Sequence, residues 1–329
     1  MFIEISLAEL LAEMELNDRS RGLTCRTIAK NNKVLRMFFT YLDEHFGITK
    51  VSEVKPVHIK QFMVFKNDSG AAESYVNVFL RCIRALFSFA VDEEYILEKN
   101  NPVTKVKWMK EQKKQVRAWS DNDVIKMVNH TQSKTKETKK KVTKSRGHMS
   151  WFVAERNRLM ILLLADTGIR VGELTNLRET DITDRAVYIN RGKGKKDRSV
   201  YCSPLVAKQK IKYDRAKKIY FSNKNTALKN DYIFVSKTGD KLSVDMAERF
   251  VTQIGSDAGC DPSIRMSPHT FRHYFTQKQL DLGANIYDLQ ILLGHTSIKT
   301  TETYLKSISS DTVLERGMEK SPLMNLNKK

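Results

Sequence analysis

Apolar residues in the first hundred positions recur at the three- and four-residue intervals that are typical of amphipathic helices. Thr24 is a suitable N-cap and Gly47 a suitable stop for the first long helix. The apolar stripe between them consists of Ile28, Leu35, Phe38, Phe39, Leu42 and Phe46. The same pattern predicts a shorter helix at 57–66 and another long helix at about 71–94. We therefore predict an all-helical first domain over residues 1–100.

Two basic segments follow this domain, where the periodicity ends. Residues 101–118 carry many charges with little periodicity, so we predict an extended basic linker. Ser120 is a suitable N-cap for a short helix that ends at about Asn129. The lysine-rich stretch after it predicts a mobile basic insertion at 132–148, because blocks of like charge repel one another and rarely fold.

Two short β-patterned stretches interrupt a second, otherwise helical domain at 119–307. AVYIN at 186–190 and RSVYC at 198–202 are rich in β-branched and aromatic residues, and they flank a glycine-rich basic loop, so they predict a hairpin. YIFV at 232–235 predicts a third short strand or extended piece, and helices are expected from Val244 onward. The predicted fold class is mainly α, with two domains, the second containing a small antiparallel sheet.

The charge balance favours a polyanionic partner. The 329 residues include 57 Lys+Arg against 38 Asp+Glu, for a formal net charge of +19. Cationic surfaces of this kind release counterions when they neutralise phosphates, so nucleic acid is the expected partner. A solvated basic surface without such a partner is the alternative. The four cysteines are scattered and form no CxxC pair, so neither a zinc site nor a disulfide framework is predicted.

The chain is expected to be cytoplasmic, with no membrane partner. Its first residues lack the basic start and long apolar run of a signal peptide. We also expect no apolar stretch of the ~20 residues that a bilayer-spanning helix needs.

The sequence TGIRVGELTNL places Arg170 at the start of a helix, just after a glycine turn. Glu173 follows three residues later, within reach of the guanidinium on the same helical face. A guanidinium can bind two phosphate oxygens at once, and a carboxylate behind it would orient it. A surface ion pair is the alternative.

The sequence RGKGKKDR lies at the tip of the predicted hairpin. Glycines on both sides of Lys193 permit a tight turn from which that lysine projects. An ammonium group, with an ordinary pKa of ~10.4, could protonate a leaving oxygen. Lys195 and Lys196 compete for the same role. Arg191 and Arg198 are expected to contact backbone phosphate or solvent.

The sequence PHTFRHYF opens a helix in which His269 and Arg272 share a face. His269 and His273 have the i,i+4 spacing of a zinc motif. No glutamate follows the first histidine, however, and an arginine lies on the same face, so no metal site is predicted. We interpret His273 as a structural partner near the helix surface.

The sequence LLGHTSIKTTETY places His295 at a junction between two helices and Tyr304 on the second of them. A phenol with the ordinary pKa of ~10 is a poor nucleophile at neutral pH unless nearby cations favour its anion. The arginines and histidines above would provide such cations. An interface tyrosine on an amphipathic helix is the alternative.

Together these residues resemble the catalytic set of the tyrosine recombinases, also called phage-type integrases. The set in chain order is Arg170, Lys193, His269, Arg272, His295 and Tyr304. LLADTGIRVGEL, SPHTFRHYF and LLGHTSIKTTETYLK are similar to the family's three main sequence boxes, and the resemblance spans most of residues 120–310. It implies a helical core-binding (SAM-like) first domain and a mixed α/β catalytic second domain.

The resemblance implies a covalent mechanism. Tyr304 would attack the scissile phosphodiester and leave a 3′-phosphotyrosyl enzyme with a free 5′-hydroxyl. Arg170 and Arg272 would hold the non-bridging oxygens, and His295 would donate a third hydrogen bond to them.

The resemblance also implies how protons move at the site. His269 would assist proton transfer at the tyrosine, Lys193 would protonate the 5′-oxygen, and Glu173 would brace the site. Because the phosphotyrosyl bond stores the energy of the broken one, no metal, ATP or other cofactor is expected.

The implied partner is double-stranded DNA, bound by a homotetramer on two recombination sites. Away from DNA we expect a monomer or weak dimer. The residues 308–329 form a tail that either docks on a neighbouring protomer or is frayed. The cations expected to contact DNA are Arg26, Lys30, Lys33, Arg81, Arg84, Lys139, Lys140, Lys141, Lys195 and Lys196.

The implied function is integration, excision or resolution of a mobile element. Two alternatives remain open. One is a type IB topoisomerase, which rejoins the original strand; the LLGH box and the compact helical first domain argue against it. The other is a non-catalytic DNA-binding regulator.

Overall fold

A computed structural model of the chain describes residues 4–111, 117–142, 145–190, 197–224, 228, 230–295, 297–304 and 318. The chain divides into two compact units, Met1–Lys114 and Gln115–Lys329. The predicted C-terminal tail lies outside the described residues, except for Met318.

Helices make up most of the described part of the first unit. The α-helices are α1 (Leu7–Ser20), α2 (Cys25–Phe46), α3 (Pro56–Asp68) and α4 (Glu73–Asp92), with 3₁₀ turns at Val51–Glu53 and Glu98–Asn100. Each of the predicted helices, α2 to α4, is present within a few residues of its expected bounds.

The ends of α2 are set by the two residues that the sequence indicated. The Thr24 hydroxyl accepts the Thr27 backbone N–H at 3.2 Å. Gly47 is left-handed, with φ of +65°, and its N–H reaches the carbonyl of Asp43 at 2.8 Å. The helix α1 was not predicted. Its signal was a capping box, in which Ser6 and Glu9 satisfy each other's backbone N–H groups.

The helix α4 is the centre of the first unit's core. Its Phe79, Leu80 and Phe87 side chains are fully buried. It has 20 residues and contains an 18-residue window with a mean hydropathy of 1.3, so it is long and apolar enough to cross a bilayer by length and composition alone. The expectation that no apolar stretch reaches that length was therefore wrong. Its buried side chains belong to the core of the first unit, as expected for a core helix.

The predicted linker at 101–118 was wrong in its first half. Val103 and Val106 are buried in the core of the first unit. Met109 pairs with the Asn77 side chain through both its N–H and its carbonyl, each at 2.9 Å. Two apolar residues in a basic context thus fix residues 101–111 to the first unit.

The second unit is a bundle of helices with one small sheet. In chain order its elements are α5 (Asp121–Lys140), α6 (Ser145–Thr167), α7 (Val171–Leu174), β1 (Ala186–Ile189), β2 (Arg198–Tyr201), α8 (Pro204–Asn223), α9 (Val244–Asp257), α10 (Pro268–Asp281), α11 (Ile286–Leu293) and α12 (Lys299–Glu302), with a 3₁₀ turn at Glu179–Asp181.

The sheet confirms the predicted hairpin. The strands β1 and β2 are antiparallel, with Ala186 opposite Tyr201 and Ile189 opposite Arg198. The YIFV segment is an extended piece that forms only isolated bridges, at Tyr232 and Val235. The mainly α fold class with a small antiparallel sheet is confirmed.

The helix α5 does not end near Asn129 as predicted but continues to Lys140. Most of the expected insertion at 132–148 is therefore helical. Thr131 and Thr135 are buried, which anchors one face of the helix in the second unit. On the exposed face, Glu137 pairs with Lys141 at 2.7 Å, so like-charge repulsion is partly offset.

The helix α6 leads into the turn before Arg170. Residues 159–164 are buried, and the helix packs against α5, α8 and α10. It ends at Thr167, immediately before the turn that leads to Arg170. The orientation of that arginine therefore derives from the most deeply buried helix of the unit.

Candidate active site

The turn that presents Arg170 requires a glycine. Gly168 has φ of +58°, and a Cβ there would lie 2.6 Å from the Phe275 ring. Arg170 is the N-cap of α7, as predicted, and its N–H donates to Glu173 Oε2 at 3.1 Å. Its Nη1 donates to Glu173 Oε1 at 3.0 Å. With 41% of its side chain exposed, this guanidinium is open to a ligand.

Arg170 and Arg272 converge on one backbone oxygen. Arg272, only 3% exposed, donates from Nη2 to the carbonyl of Leu293 at 2.7 Å, and Arg170 Nη1 reaches the same carbonyl at 3.4 Å. Arg272 Nη1 also donates to the carbonyl of Gly168 at 2.8 Å. Leu293 ends α11, where carbonyls lack intrahelical partners and carry partial negative charge. The structure thus brings the two predicted phosphate-binding arginines together.

Arg272 remains cationic at neutral pH. Burial, and then the charge of Arg170, lower the pKa of its guanidinium to about 9. The Glu173 carboxylate opposes this effect. The region between the arginines is therefore positive, and the buried, oriented Arg272 is suited to stabilise the charge of a bound phosphate.

Arg198 belongs to the same cluster, and the prediction that it contacts phosphate or solvent was wrong. Only 5% of its side chain is exposed. It donates to both Glu173 oxygens, at 3.0 and 2.7 Å, and its Nε donates to the carbonyl of Leu292 at 2.8 Å. The alternation of side chains in β2 indicated that Arg198 points inward, because residues 198 and 200 share a face of the strand and Val200 is buried.

Glu173 is a charged carboxylate held between two arginines. Burial alone would raise its pKa. The hydrogen bonds and charge of Arg198, with a smaller contribution from Arg170, outweigh burial and lower that pKa to about 2. Glu173, which was predicted to brace the site, therefore contacts Arg198 on β2 as well as Arg170.

His295 lies two residues beyond the end of α11. Gly294 takes the left-handed conformation, with φ of +60°, and turns the chain out of the helix. The His295 backbone N–H donates to the carbonyl of Gln290 at 3.1 Å, and its Nδ1 lies 2.8 Å from the Thr301 hydroxyl. The arginines that hold the last turn of α11 thereby also fix the start of the His295 segment.

Tyr304 is buried in the second unit, with 5% of its surface exposed. Its ring lies in an apolar cluster with Phe275, Leu280, Leu289 and Leu293. Burial raises the pKa of its hydroxyl, and the charge of Arg272 and a hydrogen bond with Thr276 oppose that effect. Tyr304 is therefore a protonated phenol at neutral pH, and the charge of Arg272 acts on its hydroxyl.

The hydroxyl of Tyr304 is hydrogen-bonded to Nδ1 of His273, a residue that sequence reasoning assigned to a structural role. The ring of His269 lies beside it, with centroids 4.2 Å apart. Burial, then His269 and Arg272, lower the pKa of His273 to about 4. Burial and the neighbouring arginines also lower the pKa of His269. Both imidazoles are therefore neutral at pH 7.

Part of the predicted site cannot be placed. Lys193, Lys195 and Lys196 lie outside the described residues. Within the described part of the chain, His, Cys, Asp and Glu side chains form no group of three or more that could hold a metal ion.

The cations expected to contact DNA lie mostly on exposed helix faces. Arg84 differs from the rest: its guanidinium lies over the Trp108 ring at 4.8 Å and donates to the carbonyl of Val106 at 2.5 Å. The exposed residues are Arg26, Lys30 and Lys33 on α2, Arg81 on α4, and Lys139, Lys140 and Lys141 at the end of α5.

The catalytic region matches a known protein family. The model of the phage integrase family matches residues 152–310, the stretch that carries the clustered arginines, Glu173, the histidines and Tyr304. The tyrosine recombinase XerC of Thermodesulfovibrio yellowstonii is 28% identical over 278 residues, covering 83% of this chain and 85% of that protein. Residues 152–310 are thus a domain of the phage integrase family, and the chain is similar to tyrosine recombinases over most of its length. Enzymes of this family cleave and rejoin DNA.

Solved structures of tyrosine recombinases share the fold. The post-cleavage complex of the XerH site-specific recombinase with a palindromic difH substrate superposes with a TM-score of 0.70 at 19% identity, covering 94% of this chain and 84% of that chain. The Tn1549 transposon integrase in complex with transposon right end DNA gives a TM-score of 0.65 at 15% identity, covering 96% of this chain and 100% of that chain.

Proposed function

We propose that this tyrosine recombinase is the site-specific integrase, excision enzyme or resolvase of a mobile element, and that Tyr304 is its nucleophile. Tyr304 attacks the scissile phosphate and forms a 3′-phosphotyrosyl bond, and the freed strand is exchanged with one from a second duplex. The observation that carries this proposal is the meeting of Arg170 and Arg272 at the carbonyl of Leu293, in the same site as the Tyr304 hydroxyl.

The two arginines are the electrostatic part of the proposed mechanism. Arg170 is partly exposed and Arg272 is fixed by two carbonyls, so each has one edge committed to the protein and further N–H groups to offer. Together with His295 they would bind the non-bridging oxygens and stabilise the charge that accumulates there. Donors that are already oriented lose no energy to reorganisation as the reaction proceeds.

The remaining groups would move protons and maintain geometry. Lys193 would protonate the leaving 5′-oxygen, and His269 would assist proton transfer at the tyrosine. Glu173, already ionised and bound to two arginines, would keep Arg170 in place without accepting a proton itself. No metal or ATP enters these steps, because one phosphodiester bond is exchanged for another of similar energy.

Double-stranded DNA is the proposed partner, bound in the cytoplasm by four copies of the chain on two recombination sites. Off DNA the chain would be a monomer or weak dimer. The net charge of +19 and the exposed cations of α2 and α5 support binding to phosphates. The XerH and Tn1549 structures are themselves complexes with DNA.

The test is covalent capture on DNA. Inverted repeats that flank a short spacer in the surrounding genomic sequence supply candidate duplexes, each nicked beside the expected cleavage position so that the cut product diffuses away. We expect a denaturant-resistant protein–DNA adduct whose DNA-linked peptide contains Tyr304. The variant Tyr304→Phe should bind the duplex equally well in a gel shift and give no adduct.

Mixing two differently labelled duplexes distinguishes the alternatives. Exchanged product supports a recombinase. Rejoining of the original strand alone would indicate a topoisomerase. Binding without any adduct from the unaltered chain would indicate a DNA-binding regulator.

A further inference from the structure

The contact between His273 and Tyr304 joins an unassigned side chain to the attacking atom. Nδ1 of His273 is hydrogen-bonded to the Tyr304 hydroxyl, and the two rings are 5.4 Å apart. His273 lies on α10, one residue after Arg272 and one helical turn after His269. The helix that presents the buried phosphate-binding arginine therefore also presents a basic nitrogen to the nucleophile.

Both partners of this hydrogen bond are uncharged at neutral pH. His273 is neutral, because burial, His269 and Arg272 keep its pKa near 4. The raised pKa of Tyr304 keeps the phenol protonated. A neutral imidazole has one nitrogen that accepts and one that donates. Transfer of the Tyr304 proton to His273 requires the tautomer in which Nδ1 is unprotonated, with the imidazole proton on Nε2 and the Tyr304 O–H as the donor.

We propose that His273 is a catalytic residue that accepts the proton of Tyr304 as its oxygen attacks phosphorus. This inference rests on the proposed function. The bond from the Tyr304 oxygen to phosphorus forms, the bond from phosphorus to the 5′-oxygen breaks, and the tyrosine proton moves to Nδ1. The leaving oxygen takes its proton from Lys193. Religation runs the same steps in reverse, so His273 returns its proton to Tyr304.

The groups that face His273 disfavour proton transfer from Tyr304 before a phosphate is bound. They are His269 and Arg272 on its own helix and Tyr304 from the segment after α12. A cationic Arg272 disfavours a positive charge on the imidazole, so the proton stays on the phenol. A bound phosphodiester would neutralise that cation and make protonated His273 less costly. As the oxygen–phosphorus bond forms, the phenol also loses its affinity for the proton.

His269 is the competing acceptor, since the family resemblance implies that role. Its ring contacts that of His273, whereas the hydroxyl bond that the structure shows is made by His273. His273 is therefore the immediate acceptor of the tyrosine proton. His269 lies one helical turn away and lowers the pKa of His273.

The decisive experiment compares His273→Asn with His269→Asn on the duplex captured above. Asparagine places an amide oxygen near the position of Nδ1, so it keeps the hydrogen bond but cannot take a proton. We expect His273→Asn to slow adduct formation by about 100-fold or more, the usual size of general base catalysis, with unchanged affinity for the duplex. Full cleavage by His273→Asn, with loss in His269→Asn, would overturn the inference.

A second duplex distinguishes loss of the general base, His273, from loss of the general acid, Lys193. Sulfur in place of the 5′-bridging oxygen leaves without protonation, so it should restore cleavage by Lys193→Ala. The defect of His273→Asn should persist on the same duplex. Recovery of both variants would place His273 on the leaving-group side and contradict the proposal.

The pH profile and chemical rescue distinguish a base from a purely structural group. Cleavage by the unaltered chain should fall as acid protonates His273 in the DNA complex, and His273→Asn should lose this dependence. Added imidazole should accelerate His273→Ala. A slow variant with an unchanged profile and no rescue would show a positioning role only. Absence of any adduct from the unaltered chain would instead refute the proposed function itself.

Discussion

The arginines of the site and the cations on α2 carry the same charge in opposite surroundings. Arg198 and Arg272 are buried, and carbonyls or a carboxylate fix the direction in which each guanidinium points. Arg26 and Lys30 are exposed along one helix. A fixed, desolvated cation can recognise one phosphate and stabilise a transition state. Exposed cations contribute charge that acts on any sequence of DNA and is screened by salt.

The largest expected effect comes from Arg272. Replacing it with Ala should lower the rate of adduct formation by on the order of 1,000-fold, as for loss of an oriented donor, while duplex affinity changes little. Arg272→Lys keeps a charge but cannot bond both Gly168 and Leu293, so it should also be slow. Rates from single-turnover cleavage and affinities from gel shifts provide the check. An equal loss of binding and cleavage would contradict a catalytic role.

Removing one member of the buried ion pair should reduce stability. Arg198→Ala leaves a buried carboxylate without its main partner, so we expect a loss of about 3–5 kcal/mol in the free energy of unfolding. Arg185, whose side chain is 92% exposed beside Asp184, is the matched control, and its replacement with Ala should cost close to nothing. Urea denaturation of both variants measures the difference. Equal stability would mean that the pair contributes no net energy.

The same pair should make stability depend on pH in one direction. The pKa of Glu173 is lowered to about 2 in the folded chain, against ~4.3 for an ordinary glutamate. Its stabilising contribution is therefore complete above the ordinary value and is lost as the pH falls toward the folded one. The stability advantage over Glu173→Gln should shrink across that acidic interval. An advantage that stays constant with pH would show that the charge on Glu173 is not its source.

A smaller effect is expected from backbone strain at the turn before Arg170. Gly168→Ala would adopt an unfavourable left-handed conformation and press on Phe275, so we expect a loss of about 1–3 kcal/mol. Gly172→Ala is the matched control, because its Cβ meets nothing within 4 Å. It should be neutral or stabilising by ~0.4–1 kcal/mol. Thermal unfolding compares the two, and equal melting temperatures would refute the requirement for glycine.

The smallest effects belong to the exposed lysines at the end of α5. Replacing Lys139 or Lys140 with Gln should reduce the slope of log affinity against log salt by ~0.9 for each phosphate that the variant no longer neutralises. Lys141 already pairs with Glu137, so Lys141→Gln should change the slope less. Binding titrations across a salt series test this order. Unchanged slopes in all three variants would mean that this end of α5 does not contact DNA.

Periodicity and end signals predicted the helices of the first unit and the hairpin well, because local patterns determine both. Thr24 and Gly47 bound α2 as their residue types require. The pattern failed where tertiary contacts decide the outcome. Thr131 and Thr135 hold a lysine-rich segment in a helix that its charge disfavours, and Val103 and Val106 draw a basic stretch into the first unit's core.

In the site, too, local sequence motifs were predictive and tertiary contacts were not. Family motifs identified Arg170, Arg272 and Tyr304, and the structure brings them into one region. The motifs could not show which neighbour each side chain meets. The hydrogen bond between Tyr304 and His273 depends on how α10 packs against a segment about thirty residues away. A contact of this kind produces no periodic pattern in the sequence. Arg198 was recoverable in principle, since strand alternation pointed its side chain inward.

The last turn of α11 supplies carbonyls to three guanidinium groups and leads directly into His295. This turn contributes no reacting atom. A change in its backbone would nevertheless alter the positions of several site residues together. Unwinding it would remove one backbone acceptor from each of Arg170, Arg198 and Arg272 at once and displace the histidine. A molecule that stabilised or opened that turn could switch strand cleavage on or off without touching DNA.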